Sequence, residues 1–178
     1  YKKTYTYADY LRIDDEKRYE VMEGELVTVP APNTRPQEVS WRIEFILGKF
    51  IMEKNLGKVF DSPTDVVLAK DMVLQPDIIF ISSERLNIIE EQAIMGAPDM
   101  VVEIVSRTSS FNDTVKKRDI YQKHGVKEYW LVFPEEQAIE VMTIASGVYK
   151  GLSSAKGSGK VKSRVLDGLE VDLTEVFV

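Results

Sequence analysis

The sequence predicts a mixed α/β fold, a β-sheet flanked by helices with extra β-hairpins at both ends. Three observations predict it. The stretches "VLQPDIIFI" and "PDMVVEIV" are apolar on both faces apart from single carboxylates, as strands covered on both sides are. The segment "QEVSWRIEFILGKFIMEKNLG" repeats apolar residues at Val39, Ile43, Ile46, Leu47 and Phe50, the spacing of an amphipathic helix. A strand at Asp99–Val105, a helix at Asn112–His124 and a strand at Val126–Phe133 make a parallel crossover unit.

In chain order, Tyr5–Ile13 reads as a short helix with Thr6 as N-cap, and Tyr19–Val29 as a hairpin turning at Glu23-Gly24. The proline-rich loop Pro30–Pro36 leads into the long helix, for which Gly57 is the expected C-cap. "KVFDSPTDVVLA" and "MVLQPDIIFI" read as two strands joined at Lys70-Asp71. A partly helical connection, Glu84–Ala93, and a turn at Gly96–Pro98 precede the crossover unit. The helix Asn112–His124 stops at Gly125, and Ala138–Ile144 pairs back onto Val126–Phe133. The tail combines a flexible basic stretch, "GLSSAKGSGKVKS", with short β segments. "KGSGKVKS" is not a phosphate loop, because Ser154 and Val161 occupy the positions that need Gly and Ser or Thr.

With 178 residues, 44% hydrophobic and 29% charged, the chain is expected to form one domain over 1–178, its core at about 37–133. No apolar run approaches the ~18 residues of a membrane span, and "YKKTYTYADY" lacks the apolar run of a secretory signal. The absence of cysteine excludes disulfides and thiolate zinc sites and fits a cytoplasmic protein. A net charge of −6 exerts no general pull on nucleic acid, so a polyanion site needs a local basic patch or a bound cation.

The carboxylates inside apolar strands carry the functional question. Asp99 follows Pro98 at a strand start, where a loop amide can satisfy it. Asp77 and Glu103 lie deeper, and a buried carboxylate needs a cation, donors or a metal. Two readings stay open for them: pairing with Arg, Lys or amides, or a metal or acid–base site. Gln75 is expected on the face of Asp77. Asp113, Lys117 and Tyr121 form an i, i+4, i+8 stripe on the helix that follows the Glu103 strand, surrounded by Lys116, Arg118 and Lys123. The single histidine, His124, lies at a helix C-terminus, which disfavours histidine triads and multi-histidine metal sites.

"YEVMEGELV", "VLQPDIIFI", "PDMVVEIVS", Asp113, Lys117, Tyr121 and "GVKEYWLV", in this order over Tyr5 to Thr143, resemble the PD-(D/E)XK nuclease superfamily. More closely, they are similar to its Uma-type group of "putative restriction endonucleases". The resemblance implies a restriction-endonuclease-like sheet and a metal-dependent endonuclease acting on DNA, often as a homodimer. It implies Mg²⁺ or Mn²⁺ held by Asp77, Glu103 and the Ile104 carbonyl, with a lysine assisting the attacking water. The Glu-X-Lys slot here reads Glu103-Ile104-Val105, so the lysine is expected from the next helix: Lys117, or Lys116 if the helix is rotated. Gln75 is a candidate partner of the water, and Glu38, with Glu44 behind it, a candidate helix-one acid. The alternative is an inactive member of the fold that binds nucleic acid or protein. A structural domain with paired buried acids is a third.

Overall fold

The computed structural model describes residues 3–31 and 33–178. Thr6 caps a short helix, α1 (Tyr7–Tyr10), through a reciprocal box with Asp9. Strands β1 (Arg18–Met22) and β2 (Glu25–Val29) form the expected hairpin. Its two turn residues, Glu23 and Gly24, both take positive φ, at 50° and 75°.

The long helix, α2 (Thr34–Lys54), begins before Gln37 because Pro36 falls in its first turn, where a missing N–H breaks no helical bond. It buries Val39, Ile43, Leu47 and Ile51 along one stripe, each contributing about 1.5–3 kcal/mol on transfer from water. Asn55, left-handed at φ 54°, ends it instead of Gly57. Gly57 opens the next strand, where a Cβ would collide with the Ile81 carbonyl oxygen.

Neither of the two long strands expected next is continuous. They divide into β3 (Gly57–Asp61) and β4 (Val66–Ala69), then β5 (Met72–Leu74) and β6 (Ile78–Ser82). Pro63 and Pro76 lie in the two breaks, since proline cannot donate to a ladder. β4 and β5 pair with each other in one sheet, while β3 and β6 pair in another. Asp77 therefore sits in a bend immediately before β6, not on a regular strand face shared with Gln75.

A 3₁₀ segment (Ser83–Ile88) and the short β7 (Ile94–Met95) lead to β8 (Met100–Ile104). The following helix begins as a π-helical turn (Asn112–Lys117) and continues as α3 (Arg118–His124), ending on Gly125 at φ 81°. Then come β9 (Glu128–Phe133), β10 (Ala138–Ala145), β11 (Val148–Lys156), β12 (Lys160–Lys162), β13 (Glu170–Asp172) and α4 (Leu173–Val176). Most of the tail read as flexible is thus strand: β11 pairs along β10 across a bulge at Val141/Met142, and β12 pairs with β13.

One sheet was expected; the described residues form two large ones and a ribbon. The first runs β2-β1-β5-β4-β7, the second β11-β10-β9-β8-β6-β3, and β12 pairs with β13. β8 and β9 are parallel, as the crossover requires. On one face of the six-stranded sheet, Phe80, Val102 and Trp130 pack against α2 and the C-terminal segment. On the other, Val101, Tyr129 and Leu131 pack with Tyr121 of α3 and Leu74 of β5. The site lies where the two sheets part.

Candidate active site

Asp77 stands where β6 leaves its partner. β6 pairs with β8 from Ile78↔Val102 to Phe80↔Met100, and beyond Ile78 the Asp77 side chain takes over the ladder. Its Oδ2 accepts the Ile104 N–H at 2.6 Å. Glu103, on β8, lines the same cleft and is 2% exposed. Its Oε1 accepts from Lys117 Nζ at 3.0 Å and from the Tyr121 hydroxyl at 2.8 Å.

Lys117 and Tyr121 reach one oxygen because the helix arriving from β8 lays the Asp113, Lys117 and Tyr121 stripe over Glu103. Part of that helix is π-helical, a distortion that recurs at functional sites. Lys117 Nζ also lies 2.9 Å from Glu20 Oε1 and 3.6 Å from Asp113 Oδ1. Val105, in the slot where a strand lysine was expected, is buried among apolar neighbours on this side of the sheet. Lys116 faces outward instead, its ammonium 5.8 Å from the centre of the exposed Phe111 ring.

One ammonium thus serves a crowd of buried acids. Burial drives the Glu103 carboxyl well above its usual range, against the pull of Lys117. Burial raises Asp77 too, opposed by the Ile104 N–H and Lys117, and it raises Asp113 to about 6. For Lys117 burial acts downward, but Glu103, Glu20 and Asp113 outweigh it and hold the amine protonated. Tyr121 is held neutral by burial and by Glu103.

The other predicted residues fall differently. Gln75 is in the cleft, but its amide is engaged: Nε2 donates to the Tyr10 hydroxyl (3.1 Å) and to Asp65 (2.8 Å), and Oε1 accepts from Arg18. The break at Pro76 separates its course from that of Asp77. Glu38 is exposed and paired with Arg42 at 2.9 Å, because it lies beside the buried stripe of α2 and faces solvent. Glu44 lines a separate groove with Trp41 and Phe45. His124 is half-buried, and burial lowers its pKa. Asp99 is structural: it accepts from the Ser82 N–H (2.8 Å) and Lys127 (2.7 Å) and pairs with Arg85 (3.2 Å).

Glu20 and Arg18 are the residues that the sequence reading missed. Both stand in "RYEVM", two apart, so both project from one face of β1. Glu20 is 3% exposed and accepts the Gln75 main-chain N–H at 2.8 Å. An acid two residues from a basic residue in a hairpin strand ordinarily marks a solvent face, and nothing local distinguishes this one.

Asp77, Glu103, Ile104, Asp113, Lys117 and Arg18 line one narrow cleft of about 120 Å³. Its donors are oxygens, and its carboxylates are short of positive charge, which is the chemistry a hard divalent cation satisfies. Among the described residues no group of three or more His, Cys, Asp or Glu side chains is arranged to hold a metal ion. The expected set is smaller, two carboxylates and a carbonyl, and the Lys117 ammonium lies between Glu20, Glu103 and Asp113.

No curated protein matches this chain. The crystal structure of a putative nuclease belonging to DUF820 from Anabaena variabilis is similar to it, with a TM-score of 0.78 and 20% identity over 97% of each chain. At that identity the likeness establishes a common fold. The family described as "Uma2: Putative restriction endonuclease" matches residues 7–174, and the chain belongs to that family.

Proposed function

We propose that the protein is a metal-dependent endonuclease that hydrolyses phosphodiester bonds in DNA, with Asp77, Glu103 and Lys117 at its centre. The observation that carries this reading is the 3.0 Å contact of Lys117 with Glu103 in the cleft that Asp77 also lines. It supplies the acid, acid and lysine of the family pattern although position 105 is valine.

Asp77, Glu103 and the Ile104 carbonyl would hold Mg²⁺ or Mn²⁺. When bound, such an ion polarises the scissile phosphate and lowers the pKa of the attacking water. Lys117 would orient that water and offset charge that develops on the phosphate. Glu20 and Asp113 keep its ammonium protonated and aimed, and Tyr121 fixes the Glu103 oxygen that Lys117 shares. Asp77 in turn is held by the Ile104 N–H.

The test is conversion of supercoiled plasmid to open circles with Mg²⁺ or Mn²⁺, against EDTA. Conversion only with metal supports the reading. DNA binding without conversion in either metal would replace it with a non-catalytic binding module.

A further inference from the structure

We infer that Arg18 is a phosphate-binding residue of the cleft, taking a non-bridging oxygen of the DNA backbone. The inference rests on the endonuclease reading and names the group by which that site admits a polyanion.

Asp77, Glu103 and Asp113 present negative charge to the cleft, and a phosphodiester needs something to offset them. Two cationic side chains line the cleft, Lys117 and Arg18. Lys117 is already committed to Glu103, Glu20 and Asp113. Arg18 is not: among the described residues no carboxylate lies within ion-pair distance of its guanidinium.

Its anchors are neutral. Nε and Nη2 donate to Gln75 Oε1 at 3.2 and 3.0 Å, and Nη2 also donates to the Ser62 hydroxyl. Gln75 is in turn fixed at three points, by Tyr10, Asp65 and Glu20. One edge of the guanidinium is therefore clamped, while Nη1 has no acceptor among the described residues. A glutamate at position 75 would hold the same edge but cancel the charge. The amide orients the guanidinium without forming an ion pair with it, and its charge is felt only at longer range by Asp77, which suits a planar donor that must meet phosphate.

The test measures binding of a fluorescein-labelled DNA duplex by anisotropy across a salt series in Ca²⁺, with plasmid nicking in parallel. The proteins are wild type, Arg18→Met, Arg18→Lys and Asp77→Ala, each checked by thermal melting. Arg18→Met is expected to weaken binding about tenfold and reduce the log–log salt slope by about one. Arg18→Lys is expected to keep the slope and lose affinity in part, an outcome that loss of packing alone would not give. Asp77→Ala is expected to lose nicking, and it separates loss of the metal site from loss of the Arg18 contact. An Arg18→Met protein with wild-type affinity and slope overturns the inference while leaving the nuclease standing. A wild type that neither binds nor nicks overturns both. If Arg18→Met fails to fold, a reduced salt slope in Arg18→Lys overturns the inference.

Discussion

Lys117 and Glu103 are 14 residues apart in sequence and 3.0 Å apart in space. The contact joins the last residue of a π-helical segment to the penultimate residue of a buried strand. It allows valine at 105 to pack in the apolar layer while a lysine still meets the same carboxylate. Lys117 is also the cation to which Glu20 and Asp113 turn, so removing it should be felt first in stability.

Lys117→Met leaves Glu20, Glu103 and Asp113 buried without a cation. Breaking a buried ionic cluster from one side costs about 3–5 kcal/mol. The expected loss in urea denaturation is larger at pH 8 than at pH 5, where Glu103 and Asp113, raised by burial, take up protons. Equal losses at both pH values would contradict the charge-crowding account.

Asp113 gives the pH dependence a sign. Its folded pKa of about 6 lies above its ordinary value of 3.8, with burial as the main cause. The folded state then holds the proton more tightly than the unfolded chain. The stability this contributes is complete below the ordinary value and is lost as pH rises through 6. In EDTA, Asp113→Asn should therefore lose less stability than wild type between pH 4 and pH 7, by about 1–3 kcal/mol. Parallel melting curves for the two proteins across that range would refute this.

Asp99 should behave in the opposite sense. Burial pushes its carboxyl upward, but Lys127, the Ser82 N–H and Arg85 together hold it below the usual carboxylate range. Its stabilisation is present above the unfolded value and is lost as pH falls through the folded one. Asp99→Asn is expected to cost about 1–3 kcal/mol at pH 7, with nicking per folded molecule unchanged. A specific loss of nicking would give Asp99 a role at the site.

Glu20→Gln keeps an acceptor for the Gln75 N–H and removes the charge that shares Lys117. The expected result is a kcat about tenfold lower with KM nearly unchanged, read from initial rates over a range of plasmid concentrations. A change confined to KM would place Glu20 in DNA binding instead.

Much of this arrangement was legible because its signals are periodic. Val39, Ile43 and Leu47 announce α2, and Asp113, Lys117 and Tyr121 keep their common stripe even through the π-helical turn. Asp77 and Glu103 stood out as acids in apolar company. That signal does not discriminate by itself: Glu128 sits in the equally apolar "VKEYWLV", fully buried, yet lies outside the cleft. It accepts from Trp130 Nε1, the Ser163 hydroxyl and the main-chain N–H groups of Arg164 and Val165. Partners about 35 residues away decide its role, and no local pattern contains them. Glu20 was missed for the same reason, since Lys117 and Gln75 come to it from distant segments. The strand breaks had a local signal in Pro63 and Pro76, but apolar continuity outweighed it. The Gly- and Ser-rich tail is ordered by its pairing along β10 and with β13, which composition does not encode.

The most direct test compares wild type with Asp77→Ala, purified identically, in supercoiled-plasmid nicking with Mg²⁺ or Mn²⁺. The account predicts metal-dependent nicking by wild type that disappears in the variant, with the melting temperature showing both folded. Equal nicking by the two proteins, or none by either, would contradict an endonuclease centred on Asp77.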